Sequence, residues 1–399
     1  MQPGLLKTAM VLGLLSVSGS FAIDMFLPAM PIIAADLSAS AAATQYTVTV
    51  YMLAFGVAQM IYGPWADQSG RKVPLITGVV LFIAGAVGSA LATSVEALVA
   101  ARFVMGFGGA AAMVVPRAII RDGFTGDAAT RLMALIMLIV AISPMLAPLA
   151  GTGVIALAGW RAIFWVICAT SAFSLAVFVF SMPETLKPEH VVRVNLRSMG
   201  QGMKRLFTDA GFMGLTMVNG FGMASFFVFL GSASFVYTGQ YGLTTTQFSL
   251  AFAVNAIGFF AASQAAGPLG ARFGLNRMVL WGVVGFAVAA AVLLTITLTV
   301  HLSLFALIGL LILGNAFLGL VIPTSLVLAL EEHGEIAGLA SSLGGSLQLL
   351  TGGVMMAIGS LFFDGSATPM VIMIAISAGL ALICALATVR PGRVAANSA

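Results

Sequence analysis

Three ionisable residues stand inside long apolar stretches of this chain, and each requires a chemical reason for being there. Asp24 lies in Phe21-Ala22-Ile23-Asp24-Met25-Phe26-Leu27-Pro28-Ala29-Met30-Pro31, within the first apolar run, and Arg102 and Arg117 share a later one. An ion in hydrocarbon is costly unless it is paired, hydrated or, for the acid, protonated. A carboxylate and a guanidinium at similar depth can handle a proton together: the acid takes it up or lets it go as its surroundings dry out or the cation draws near. Counted from Lys7, Asp24 sits about 25 Å along its helix, past the middle of a hydrocarbon core about 30 Å thick. Counted from Glu96, Arg102 lies about 9 Å in and reaches a similar depth. Two plainer readings stand beside this one. Asp24 could bond backbone freed by Pro28 and Pro31, although Ser or Asn would serve that need without a charge, and Arg102 could reach out to headgroups from the end of its helix.

The elements that must position these residues are membrane helices. The chain has 399 residues, 60% hydrophobic and 8% charged, with a mean hydropathy of +1.11, far from soluble composition. The alternation of a membrane barrel is absent, and apolar runs of helix-spanning length follow one another throughout. Six runs fall at 8–35, 41–62, 73–93, 97–120, 131–157 and 160–181, and six more at 210–237, 245–269, 278–298, 302–330, 336–363 and 370–389. The first is too long for a signal-peptide core and is interrupted by Asp24 and two prolines, so a retained span is expected. With the N-terminus inside, Lys7, Arg71, Lys72, Arg121, Arg131, Lys187, Arg193, Arg197, Lys204, Arg205, Arg272, Arg277, Arg390 and Arg393 share one side and the opposite loops hold only Arg161. Both termini are therefore expected in the cytoplasm.

The one long polar connection, 183–209, divides the chain into bundles at 1–182 and 210–399 and is expected to be a cytoplasmic tether whose cations meet anionic headgroups. An internal repeat agrees with the division. Gly63-Pro64 opens a segment with a central Gly70 and a closing Gly78, and Gly267-Pro268, Gly274 and Gly282 recur in register in the second half. Parallel halves of this kind belong to transporters that rock about a central site.

Several stretches resemble the major facilitator superfamily, over essentially the whole chain. Gly63 to Lys72, with Asp67, Gly70, Arg71 and Lys72 in place, is similar to the superfamily's inner-gate signature, departing at Trp65 and Gln68. The resemblance implies that Asp67 docks near the start of span eleven, around 335–338, when the inner side is closed. Arg102-Phe103-Val104-Met105-Gly106-Phe107-Gly108-Gly109-Ala110 resembles the span-four motif of drug and proton antiporters, with Met105 where Gln is usual. Ser143-Pro144-Met145-Leu146-Ala147-Pro148-Leu149-Ala150-Gly151 resembles the antiporter motif of span five through Pro144, Pro148 and Gly151, with Ala150 and Thr152 as departures. Asp24 to Pro31, the span-four end Pro116-Arg117-Ala118-Ile119-Ile120-Arg121-Asp122, and Pro183-Glu184-Thr185-Leu186 resemble the Bcr/CflA group of drug resistance transporters.

What the resemblance implies is an all-α polytopic protein of twelve transmembrane helices in two pseudo-symmetric six-helix bundles. Its implied activity is proton-coupled antiport of small amphipathic drugs or metabolites out of the bacterial inner membrane by alternating access, with Asp24 and Arg102 in proton coupling. Candidate cavity residues are Tyr46, Tyr51, Asn219, Phe226, Asn255 and Asn315, each equally readable as packing between helices. The acidic run Glu331-Glu332-His333-Gly334-Glu335 is either an inner-gate partner for Arg71, Lys72 or Arg131 or a solvated surface.

The expected partners are a small-molecule substrate, protons and the lipid bilayer, in a monomer that needs no cofactor or metal beyond the proton gradient. Nucleic acid is not expected, since no basic patch with interleaved aromatics occurs. Neither is an enzyme: His190, His301 and His333 are scattered and no nucleotide-binding loop is present. Cys168 and Cys384 lie far apart in apolar runs, with no disulfide or metal spacing. The alternatives are a nutrient or metabolite transporter with another coupling mode, and a membrane sensor without transport.

Overall fold

A computed structural model describes residues 3–186, 196–300, 302–331 and 333–389, and among these there is no strand. The basic residues Lys187, Arg193, Arg390 and Arg393 and the candidates His190, His301 and Glu332 lie outside the described residues. The chain divides into two compact units: Met1–Asn195 with Thr244–Leu250, and Leu196–Leu243 with Ala251–Ala399.

The first span is not one continuous helix. α1 (Pro3–Asp24) stops at the acid itself; Leu27–Ala29 form a 3-10 turn, and α2 (Met30–Asp36) completes the crossing. Proline explains the break, because Pro28 and Pro31 supply no N–H to a helix and their rings collide with the preceding turn. The remainder of the first unit is α3 (Ala41–Ser69), α4 (Lys72–Ala90), α5 (Val95–Gly123), α6 (Gly126–Ala158) and α7 (Arg161–Ser181). The second unit holds α8 (Leu196–Thr208), α9 (Ala210–Phe235), most of α10 (Thr245–Phe273), α11 (Leu275–Thr299), α12 (Leu304–Glu331), α13 (Ala337–Leu361) and α14 (Ala367–Thr388).

Eleven of the described helical stretches are long and apolar enough to cross a membrane. The twelfth, α3, has the length at 29 residues but carries the buried polar run Thr44, Gln45, Thr47 and Thr49. Each unit repeats one pairing scheme. In the first, α1 packs on α6, and α4 on α5 and α7; in the second, α9 packs on α13, and α11 on α12 and α14.

The second and eighth spans run beyond the ends expected for them at 62 and 269. α3 runs through Pro64 to Ser69, and α10 runs through Pro268 to Phe273. Membrane helices tolerate such prolines because neighbouring groups satisfy the freed carbonyls. The chain reverses instead at Gly70 (φ +90°) and Gly274 (φ +85°). Both take the left-handed region that side chains with a Cβ avoid, which gives the repeated central glycine its physical basis.

At the end of the first unit opposite Arg71, α2 is pinned by Asp36. Its Oδ2 accepts from Arg161 Nη1 at 2.8 Å and from Trp160 Nε1 at 3.0 Å. Arg161 also donates to the Ala92 carbonyl at 3.1 Å and lies over the Trp160 ring at 4.1 Å.

α8 is amphipathic and belongs to the second unit. Leu206 is fully buried among Phe212, Leu215 and Leu343, and a Cβ on Gly202 would meet Leu339 of α13 at 2.7 Å. Arg205 pairs loosely with Glu335 at 3.6 Å, both exposed, and His333 Nε2 lies 3.5 Å from Asp209 Oδ2. Burial of Leu206 is therefore the main anchor, as an exposed pair contributes under about 1 kcal/mol. Leu206→Ala is expected to cost about 2–5 kcal/mol locally. Hydrogen exchange should show faster labelling across 199–208 with α11 unchanged, and equal labelling in both proteins would contradict the anchoring role.

Candidate functional site

The broken end of α1 is where the first unit concentrates its buried polar groups. Asp24, 6% exposed, accepts a hydrogen bond on Oδ2 from Ser143 Oγ of α6 at 3.1 Å. Arg102 of α5 is wholly buried and grips the chain on both sides of that acid. Its Nη1 donates to the Ala22 carbonyl at 3.1 Å, and the guanidinium lies over the Phe26 ring at 4.8 Å. On its other side is the Tyr51 ring of α3 at 4.3 Å, whose hydroxyl donates to the Gly19 carbonyl at 3.4 Å. Phe26 in turn packs on Phe164 of α7, with centroids 5.7 Å apart.

No ion pair joins Arg102 to Asp24 among the described residues. The cation is stabilised by a carbonyl, the Met105 sulfur and two aromatic faces, an arrangement that gains strength where water is scarce. Its Nε and Nη2 find no partner among the described groups. A buried acid with one hydroxyl donor among the described residues and a buried cation with donors to spare thus hold the same broken turn.

Close packing holds this geometry. A Cβ on Gly151 would collide with the carbonyl of Met25, the residue after the acid, and one on Gly106 would collide with the carbonyl of Tyr51. Pro144 and Pro148 lie inside α6. Ser249, at the start of α10 and grouped with the first unit, donates to the Pro148 carbonyl at 3.2 Å.

A second cluster lies at the Arg71 end of the same unit. Arg71 is 2% exposed and offers Nε and Nη2 to both oxygens of Asp122, at 2.6 and 3.1 Å, and Nη1 to Asp67 at 2.6 Å. This two-point fork is the strong form of a charge pair. Arg121 approaches Asp67 at 3.6 Å, and Lys72 Nζ donates to the Val179 carbonyl at 3.4 Å. Glu184 caps α4: its carboxylate accepts from the amides of Arg71 and Lys72 at 2.9 and 3.0 Å and from those of Thr185 and Leu186 at 2.9 and 3.0 Å. An anion is favoured at a helix N-terminus. Partial burial raises the Glu184 carboxyl and the four amides lower it, with a net fall below the usual range. Gly70 reverses the chain directly against this carboxylate, and a Cβ there would lie 2.7 Å from Glu184 Oε2.

The remaining sequence-derived residues are dispersed. Tyr51 is buried as the second face of the Arg102 sandwich, whereas Tyr46 is partly exposed. In the second unit Asn219 accepts from Ser325 Oγ at 2.8 Å, and Asn315 Nδ2 donates to Asn255 Oδ1 at 2.6 Å. Phe226 is partly exposed beside Phe252, with centroids 6.4 Å apart. Ser143 and Glu184 stand in motifs visible in the sequence, but nothing in their spacing assigned one to Asp24 and the other to α4. Arg117, one turn before Arg121, is partly exposed with its Nε shut away and unpartnered.

Among the described residues, twelve span-length helices, two units with one pairing scheme and a buried acid at a helix break define a polytopic membrane transporter. Residues 12–356 match the family model of the Major Facilitator Superfamily, and the chain belongs to that family. It is 34% identical to the MFS-type transporter YdgK of Bacillus subtilis over 352 residues, 88% of this chain and 87% of that one. It is 30% identical to a bicyclomycin resistance protein homolog of Haemophilus influenzae over 375 residues, 90% of each. The crystal structure of a D-xylose-proton symporter has the same fold, with a TM-score of 0.75 at 16% identity over 96% of both chains.

Two outcomes follow from the Glu184 cluster. Gly70→Ala is expected to cost about 1–3 kcal/mol, from a backbone region nearly closed to other residues, read as a lower melting temperature in detergent. The folded Glu184 carboxyl lies below its unfolded value, so its contribution to stability is full above about pH 4.3 and is lost as pH falls through the folded value. Between about pH 6 and pH 3 the wild type should therefore lose more stability than Glu184→Gln. Parallel curves would contradict the capping role.

Proposed function

We propose that this protein is a proton-coupled antiporter that exports small amphipathic drugs or metabolites across the bacterial inner membrane by alternating access. It works as a monomer with both termini in the cytoplasm, and it draws its energy from the proton gradient without a cofactor. One observation carries the reading: among the described residues Asp24, buried at the break in α1, has only Ser143 as donor, while Arg102 brackets the same turn with two unpartnered nitrogens, Nε and Nη2. In this arrangement a protonated Asp24 is neutral and content beside a hydroxyl. Loss of the proton creates an anion, and a small shift of the unwound segment brings it to the free donors of Arg102. The proton and the position of the break are thereby linked.

The energetics suffice for a pump. A proton entering with the membrane potential gains about 2.3 kcal/mol per 100 mV, and each unit of pH difference adds about 1.4 kcal/mol. One proton per cycle can then sustain a gradient of a neutral solute of about tenfold to a hundredfold.

The test is uptake of labelled bicyclomycin into inverted vesicles under an imposed pH gradient. Gradient-driven uptake is expected in the wild type and background uptake in Asp24→Asn. Uptake that survives Asn would remove Asp24 from coupling. Absence of gradient-driven uptake in the wild type would overturn export of this compound.

A further inference from the structure

Arg117 is a cation in an apolar helix with nothing in the described structure to answer it. It lies six residues before Gly123, the last residue of α5, and hence about 9 Å inside the helix end. It makes no hydrogen bond, ion pair or ring contact among the described residues, and its Nε is sealed from solvent without a partner. The residue as a whole keeps partial exposure. With the stem closed in, the open part is the terminal fork of the guanidinium.

The described acids of the first unit that the structure shows paired are engaged elsewhere. Asp24 bonds Ser143, Asp36 bonds Arg161, Asp67 and Asp122 share Arg71, and Glu184 caps α4. Glu96 lies in the first turn of α5, at the far end of the same helix. Arg102 shows what a permanently resident guanidinium receives in this unit: a carbonyl, a sulfur and two rings. Arg117 receives none of these. A charged side chain at this depth is tolerable only where its tip meets water or a counter-charge. The fork matches carboxylate, sulfonate and phosphate oxygens in pairs. Met113 and Val114, partly exposed on the preceding turn, provide an apolar wall beside it.

We infer that Arg117 binds the acidic group of an amphipathic anion, a carboxylate, sulfonate or phosphate carried on an apolar body. Where that anion is cargo, the inference rests on the export reading and extends its substrate class to acids and zwitterions; a lipid headgroup phosphate is the other source of the same chemistry.

The experiment uses the full chain in phosphatidylcholine nanodiscs, with anilinonaphthalene sulfonate and its uncharged analogue N-phenylnaphthylamine as probes and empty discs subtracted. Arg117→Gln is expected to weaken sulfonate binding about tenfold while leaving the uncharged probe unchanged, and Arg117→Lys to fall between, since it keeps the charge without the fork. Equal sulfonate affinity in wild type and Arg117→Gln overturns the inference, as does an equal loss for both probes. Replacing part of the phosphatidylcholine by phosphatidylglycerol separates the sources: competition assigns the site to a lipid headgroup, and unchanged affinity assigns it to cargo. A probe contrast that persists while bicyclomycin uptake fails leaves the anion site standing and removes the export reading; the reverse pattern removes the site alone.

Discussion

The structure of the first unit turns on a carboxyl group that cannot be solvated where it stands. Asp24 terminates α1 because two prolines follow it, and the unwound turn leaves backbone carbonyls that a continuous helix would have consumed. Four other helices converge on that turn. α6 brings Ser143 and lays Gly151 against the Met25 carbonyl, α5 brings Arg102 to the Ala22 carbonyl, α3 closes over Arg102 with Tyr51, and α7 meets Phe26 with Phe164. Because these contacts share one short segment, a change in the charge of Asp24 bears on all of them. Packed interfaces respond to such a change by switching between arrangements rather than by stretching.

The Arg71 cluster complements it at one end of the same helices. Arg71 ties α3, through Asp67, to α5, through Asp122, and Glu184 ties the end of α7 to the first turn of α4. Removing one partner of a buried pair is far more damaging than the net worth of the pair, because the other charge is left uncompensated. The glycine that turns the chain is also the residue that leaves room for the capping carboxylate. Conformation and electrostatics at Gly70 are thus a single requirement.

The parts of this arrangement that depend on composition and period were legible in the sequence. Helices of spanning length and the anomaly of an acid beside two prolines both follow from apolar runs interrupted by few charges. The prolines beside Asp24 were legible, but the place where they break the helix was not, and the first span was read as one run from 8 to 35. Lateral relations were not legible either. The depths of Asp24 and Arg102 could be counted along their helices, but the direction each side chain takes around its helix could not, and Arg102 turned out to bond Ala22 and flank Phe26. Ser143 lies 119 residues from Asp24, and no spacing rule links them. The end of the second span was read too early, at 62, because apolar runs stop where polar residues begin, whereas α3 continues through Pro64 to Ser69 among packed neighbours.

The most direct test of the central claim is to count protons. In weakly buffered detergent solution, bicyclomycin binding to the wild type is expected to release protons, and the same titration of Asp24→Asn to release none while binding persists. Release of the same number of protons by Asp24→Asn would contradict the account, for the proton would then reside on another group and the break in α1 would serve packing alone.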